Sequence, residues 1–475
     1  MKIVIAMDSF KGCLSSREAG NAAAEGVRQV LPEAEVVVRP LADGGEGTVA
    51  ALAEGATGRV TVTGPLGESV ECEYGIVRKS GARGCAQDGT ASDDLLAVIE
   101  CSGACGLPLV TAEQRNPMYT TTYGLGEVIL DAAAKGCRRF LIGLGGSATN
   151  DGGAGMLQAL GYRLTDAEGN DIGHGAAGLM RLAKIEQPAA EQAFRMGMET
   201  HSAKQASRTG METPSAEQAS QTGIEALSAS NPGESARIIR ECTFRVACDV
   251  TNPLCGPLGC SAVFGPQKGA RTEDIPVMDE ALRRYAEKVR EYCKQHGPAP
   301  AEPTAPNAAN PATAESTAPN AANPAPAEPT SVNNADPDTP GSGAAGGLGF
   351  AFRAMLGAEL LLGSQLVIQE NGLEQYIEDA DLVITGEGRL DAQTAMGKAP
   401  AAVAALAQAH GIPVIALAGS VEAEESILRK MGLTAWYGIN DRTDEDLATA
   451  MRPEVAQRNM AETAARAARD FTPRQ

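Results

Sequence analysis

The chain has 475 residues, with 60 acidic and 40 basic side chains and a net charge of −20. That balance, with no Lys/Arg-rich run, argues against a nucleic-acid partner, and no apolar run reaches the roughly 18 residues a membrane-spanning helix needs. Hydrophobic residues make up 43% but aromatics only 4%, and 54 glycines punctuate short apolar runs, so the expectation is an α/β enzyme of two or three domains with a core of Ala, Val, Ile and Leu.

Residues 2–7 read as a strand ending at Asp8, too short in its apolar part for a signal peptide. Ser15-Ser16-Arg17-Glu18 is a capping box that opens a helix running to about residue 31. Residues 36–40 form the next strand. Residues 60–62 and 71–77 form a hairpin around Gly64-Pro65-Leu66-Gly67. Strands follow at 95–100 and 140–144, with a helix at 122–135 between them and a second helix at 154–160. Short strands are expected at 243–247 and 261–264, and helices at 280–293 and 349–356. Apolar strands at 381–385, 413–417 and 434–438, with a helix at 399–410, imply a parallel sheet with right-handed crossovers.

Two segments stand apart. Ala190-Glu191-Gln192-Ala193 recurs as Ala203-Lys204-Gln205-Ala206 and Ala216-Glu217-Gln218-Ala219, a polar repeat of period 13 over 189–227. Three such copies are too short and hydrophilic for a solenoid and read as a surface insertion. Residues 297–340 are Pro-, Ala- and Asn-rich, with Ala305 to Ala312 repeated at 318–325, and read as a disordered linker. A polar patch at 78–94 reads as a third surface loop. The 11 cysteines are scattered without a Cys-x-x-Cys, so reduced thiols and a cytoplasmic location are expected.

Six loops follow a strand or a Gly-rich turn, where open α/β sheets bind ligands. In Asp8-Ser9-Phe10-Lys11-Gly12, Lys11 suits a phosphate or carboxylate and Asp8 a metal or the lysine; a solvated turn is the plain alternative. Asp43-Gly44-Gly45-Glu46-Gly47-Thr48 sets two carboxylates among glycines, or is a turn and helix cap. Gly145-Gly146-Ser147-Ala148-Thr149-Asn150-Asp151-Gly152-Gly153 offers backbone N–H groups to an anion at a helix start, unless Asn150 or Asp151 merely caps the helix. Asp249 and Asn252 share a fourth loop and suit a metal, a substrate hydroxyl or an Asx turn. Gly341-Ser342-Gly343-Ala344-Ala345-Gly346 spells G-x-G-x-x-G, yet a linker precedes it where a dinucleotide fold needs a strand. The sixth, Thr385-Gly386-Glu387-Gly388-Arg389-Leu390-Asp391 with Lys398 beyond it, holds acids and bases together. It is not a Walker A loop, because Ala392 stands where a glycine is required; a surface ion-pair cluster is the alternative.

Phosphoryl transfer needs cationic and N–H contacts to phosphates, carboxylates for Mg²⁺, and a carboxylate for the acceptor's proton. These loops supply that set. No Gly-x-Ser-x-Gly elbow is present, and His174, His201, His296 and His410 lie in linkers or at a helix end.

Together the loops resemble the bacterial glycerate kinase family that makes 2-phosphoglycerate. The residues that carry the likeness are Met7 to Gly12, Ala42 to Thr48, Arg115-Asn116-Pro117 with Thr120 to Gly124, and Gly143 to Gly155. Ala247 to Leu254, Phe264 to Gly269, Gly343 to Gly349 and Ile384 to Thr394 complete them. The resemblance implies ATP-dependent phosphorylation of D-glycerate with Mg²⁺ in a cleft between two α/β domains. One is a Rossmann- or flavodoxin-like parallel-sheet domain (1–62 plus 341–475), the other an inserted mixed-sheet domain (63–296, with the repeat insertion within 189–236).

On this basis the expected catalytic residues are Asp8, Lys11, Asp43, Asp151, Asp249, Arg389 and Asp391. Gly45, Ser147, Thr149, Asn150, Asn252, Lys268, Gly346, Gly347 and Lys398 are expected to bind substrate or nucleotide, and Glu46, Glu387 and Asp391 a metal. Partners are the small molecules D-glycerate and ATP. The rival readings are a kinase giving 3-phosphoglycerate, an NAD(P)-dependent oxidoreductase on the Gly341–Gly346 turn, and a non-catalytic acidic binding protein.

Overall fold

The computed structural model describes residues 1–53, 55, 57–78, 95–186, 237–296, 334–441 and 446–471. The period-13 repeat, most of the Pro-rich segment and the polar patch after Arg78 lie outside the described residues. In chain order the strands are β1 (Lys2–Met7), β2 (Glu35–Val38), β3 (Thr57–Thr63), β4 (Ser69–Arg78), β5 (Leu95–Glu100), β6 (Arg139–Gly143) and β7 (Arg163–Thr165). They continue with β8 (Lys184–Glu186), β9 (Thr243–Ala247), β10 (Glu359–Leu361), β11 (Leu382–Leu390), β12 (Val414–Val421) and β13 (Ala435–Gly438).

The first sheet is parallel, in the order β13-β12-β11-β1-β2. Its first crossover is the helix Ser16–Val30, started by the expected capping box: Glu18 N donates to Ser15 Oγ at 3.2 Å and Ser15 N to the Glu18 carboxylate at 2.9 Å. The second sheet is mixed, in the order β10-β9-β6-β5-β4-β3, with the β3–β4 hairpin antiparallel at its edge.

Alternation along the strands sorts side chains into three cores. Ile3, Ile5 and Met7 point outward onto the helices Ser16–Val30 and Pro453–Phe471. Phe140, Ile142 and Val246 point outward from the second sheet onto the helix Ala344–Leu356 and its neighbours. Val4 and Ala6 from β1 share one inner core with Val98 from β5 and Leu141 from β6, bridged by Leu366 and Val367 of the helix Gly363–Glu370. The two sheets are thus joined by a common apolar layer.

Four features differ from the sequence reading. The expected hairpin of β3 with β4 forms, but it lies wholly in the second sheet, whereas the 1–62 boundary sets β3 with the first. The helix Ala344–Leu356 and β10 also belong to the second core, because β10 pairs with β9. Residues 260–264 form a helix rather than a strand; a short apolar run fits either until its packing decides. β11 continues to Leu390, since β12 runs beside it and pairs Arg389 with Ser420, so Glu387 and Arg389 lie on a strand and not in a loop.

Candidate active site

In the first sheet, β1 leads to β2 on one side and β11 leads to β12 on the other. The crevice past their carboxyl ends is therefore a topological switch point, where such sheets bind ligands. Met7 pairs with Gly386, which sets Asp8 and Glu387 next to each other. Lys11, on the turn after Asp8, reaches the loop after β2, and its Nζ donates to Asp43 Oδ2 at 3.2 Å. Asp43 Oδ1 accepts from Gly45 N at 3.0 Å. Glu387 accepts from Thr394 Oγ1, and Lys398 Nζ lies 3.9 Å from its Oε2.

The second sheet brings its own strand ends to the same crevice. Past β9, Asp249 Oδ1 accepts from Gly363 N at 2.9 Å. A Cβ on Gly143 would lie 2.3 Å from Gly44 O, and one on Gly145 would lie 2.9 Å from Gly45 Cα. The wall between the sheets is therefore backbone against backbone, which only glycine allows.

Electrostatics follow from this crowding. Burial, then the Asp43 carboxylate and more weakly Glu387, push Asp8 up to about 7, against the pull of Ser9 N and Lys11. Asp249 is open to solvent but walled in by the cleft, and that desolvation with the Asp43 charge raises it to about 6. Burial also raises Glu387, offset in part by Thr394 and Lys398. Partial burial pulls the Lys11 ammonium down, but the carboxylates of Asp43, Asp8 and Glu387 outweigh it and hold the group above its ordinary value.

The loop after β6 forms another wall. Gly145 and Gly146 are exposed, and the N–H groups of Gly145, Gly146 and Ser147 donate to nothing among the described residues. Such a run of free N–H groups is an anion-binding concavity. Asp151, expected among the catalytic residues, is fully enclosed. Its Oδ2 accepts from Thr122 N at 2.9 Å, Thr122 Oγ1 at 2.8 Å and Gly155 N at 3.2 Å, and its Oδ1 from Gly153 N at 3.0 Å. It braces the loop from within. Lys268 is likewise buried beneath the loop, its Nζ 3.0 Å from Ser147 Oγ and 2.7 Å from Thr149 O. Asn150 is buried against Ser261 Oγ at 2.9 Å.

The Gly343–Gly347 turn sits behind this wall. Gly346 O accepts from Gly152 N at 2.9 Å, and Ala345, Gly346 and Gly347 are all left-handed, with φ of 51°, 69° and 97°. A Cβ on Gly346 would fall 2.1 Å from Thr149 O. Asn252 braces the same region, donating to Leu258 O at 2.8 Å and accepting at its backbone oxygen from Gly343 N at 2.9 Å. Turns, not a strand, lead into Gly341, so the dinucleotide fingerprint lacks its required strand.

Arg389 is exposed on the rim, 3.5 Å from Asp391 and 3.4 Å from Glu422. Asp391 Oδ1 accepts from Gln393 N at 2.8 Å and Thr394 N at 3.2 Å, closing a tight turn. Glu46 is exposed beside Glu100, whose carboxylate accepts from Gly47 N at 3.1 Å and Val49 N at 2.9 Å. Glu387 and Asp391 are neighbours that share Thr394, but Glu46 does not join them, and among the described residues no three His, Cys, Asp or Glu side chains converge to hold a metal. Sequence reasoning passed over Glu100, for which an acid at the end of β5 was the available signal, and read Thr394 only as the end of the Ile384–Thr394 motif, with no role of its own.

Two sheets that meet at their strand ends, with lysines and acids over a free N–H loop, give the chain the architecture of an α/β enzyme. The family model described as the glycerate kinase family matches residues 3–226 and 203–472, and the chain belongs to that family. It is 38% identical to the glycerate 2-kinase of Escherichia coli (strain K12), over 92% of this chain and 90% of that protein. It is 36% identical to a glycerate kinase of Bacillus subtilis (strain 168), over 99% and 97% of the two chains. A crystal structure of a protein assigned as glycerate kinase 2, from Salmonella typhimurium LT2, superposes with a TM-score of 0.70 at 37% identity, covering 99% of this chain and 98% of that one. No helix among the described residues is long and apolar enough to cross a membrane.

Proposed function

We propose that this enzyme transfers the terminal phosphoryl group of ATP to the 2-hydroxyl of D-glycerate. The observation that carries the reading is one crevice holding Asp8, Lys11, Asp43, Asp249 and Glu387 opposite the free N–H groups of Gly145, Gly146 and Ser147. Phosphoryl transfer is mostly positioning and charge stabilisation, and both halves of that task have residues here. The N–H loop suits an anionic oxygen. Lys11, three-quarters exposed with its side chain at 73%, is free to follow the charge of a carboxylate or of the transferred group. Asp8, poised near neutral pH, is assigned the acceptor's proton, because a base is most effective when its pKa lies near the working pH. Arg389 stands on the rim, where it can close on a bound anion.

The expected metal carboxylates do not form a preformed cage. Mg²⁺ is usually held by one or two carboxylates plus substrate phosphates, so the ion is assigned to the nucleotide as part of the substrate. The 2-position follows the naming of the Escherichia coli relative. A coupled assay with D-glycerate and ATP, with the product read by phosphorus NMR, tests the reading. A 3-phosphoglycerate signal overturns the position, and no glycerate-dependent ATP consumption overturns the activity.

A further inference from the structure

Lys268 is 2% exposed, yet it forms no ion pair among the described residues. A buried ammonium without a carboxylate is costly, and burial lowers its pKa, with Cys260, Cys101, Cys105 and Asp151 as the nearby titratable groups. The chain nevertheless clamps it in place. Gly269, next to it, has φ of 88°, and a Cβ there would fall 2.2 Å from Arg115 O. Its ammonium points at two loop atoms, Ser147 Oγ at 3.0 Å and Thr149 O at 2.7 Å.

An ammonium has donors and no acceptor, whereas a serine hydroxyl has one proton and two acceptor sites. Ser147 Oγ must therefore accept from Lys268, and its own proton must go elsewhere. Among the described residues that proton has no acceptor. The adjoining Gly145 and Gly146 are open to the cleft with free N–H groups. Thr149 Oγ1, on the same loop, is also buried without a partner.

We propose that Lys268 is a positioning residue that turns the Ser147 hydroxyl into a donor towards the cleft, so that the Gly145–Gly146–Ser147 edge takes an anionic oxygen of a substrate. It acts through Ser147 and does not touch the ligand. The inference rests on the reading of this loop as an anion site. The oxygen belongs either to the glycerate carboxylate or to a nucleotide phosphate, and separate KM values for D-glycerate and ATP distinguish the two.

The test compares Ser147→Ala, Lys268→Gln and the double variant, each with its fold checked by circular dichroism and thermal melting. Ser147→Ala is expected to raise one of the two KM values about ten- to a hundredfold, with kcat changed far less. The Gln side chain of Lys268→Gln carries an acceptor that an ammonium lacks, so it can draw the Ser147 proton inward, and the variant is expected to raise the same KM. The double variant is expected to be no worse than the worse single one, as for residues acting as a unit. A weakened Ser147→Ala with an unaffected Lys268→Gln, or multiplicative losses in the double variant, overturns the inference and leaves the anion loop standing. Unchanged KM values in both single variants overturn the anion loop itself, and the inference with it. Should Lys268→Gln not fold, Ser147→Thr decides. It keeps the hydroxyl and is expected to retain affinity where Ser147→Ala loses it; an equal loss overturns the inference.

Discussion

The N–H of Asp8 donates to Gly386 O at 2.9 Å, the last rung between β1 and β11, and so fixes the Asp8 carboxylate beside Glu387. Like charges held this close in a desolvated crevice oppose ionisation, and Asp8 stands at about 7. In the kinase reading, kcat/KM falls as pH drops through about 7, because Asp8 then carries the proton it should accept. Asp8→Asn is expected to lose that limb and at least about a hundredfold in turnover. Asp249→Asn should keep the limb. A pH–rate profile of the three proteins checks this, and an intact limb with near-normal turnover in Asp8→Asn removes Asp8 from the chemistry.

The same residue affects stability in the opposite sense. Its folded pKa is raised from 3.8 to about 7, so its contribution is most favourable below about pH 3.8 and is lost as pH rises through 7. At pH 8 the ionised carboxylate costs up to about 4 kcal/mol, roughly three units at 1.36 kcal/mol each. Asp8→Asn should therefore melt higher than wild type at pH 8 and little differently near pH 4. Calorimetry at the two pH values provides the comparison, and a lower melting point at pH 8 contradicts the assignment.

Lys11→Met separates stability from function. The Lys11–Asp43 pair is solvent-exposed on the lysine side, and such pairs contribute about 0–1 kcal/mol. The melting temperature should barely move, while turnover falls at least about a hundredfold if the ammonium neutralises a reacting anion. Turnover within about threefold of wild type makes Lys11 a bystander.

Asp151→Ala should act on the fold. Its removal leaves Thr122 N, Gly153 N and Gly155 N without their buried acceptor, at about 1–3 kcal/mol for each unsatisfied group. Chemical denaturation should show a marked loss of stability. A variant with wild-type stability but no turnover would return Asp151 to the catalytic group.

Ala345 offers a gain. It holds φ of 51° as a non-glycine residue, and the left-handed region costs an L-residue about 1–2 kcal/mol. Ala345→Gly should raise the melting temperature, less the entropy that glycine adds to the unfolded chain. A lower melting temperature would mean that the methyl group contributes more through packing than the backbone loses.

What could be read from the sequence was local. Apolar runs gave β1, β5 and β9, the Ser15–Glu18 pairing gave the start of the first helix, and acids at strand ends gave Asp8, Asp43 and Asp249. What could not be read was decided across the chain. Glu387 and Arg389 joined a strand because β12, some thirty residues on, extends alongside them. β10 follows the Pro-rich segment yet completes the second sheet by pairing with β9. The spacing of Asp151 and Lys268 looked the same whether they faced a ligand or the interior; only the packing of Thr122 and Ser147 around them decides.

The contact of Gly143 and Gly145 with Gly44 and Gly45 has a consequence for how such an enzyme can diversify. The width of the crevice is set by main chain, which side-chain substitution elsewhere leaves untouched. A change at a rim residue such as Arg389 therefore acts through charge and leaves that spacing in place. A side chain at Gly44, Gly143 or Gly145 would instead push against the facing sheet.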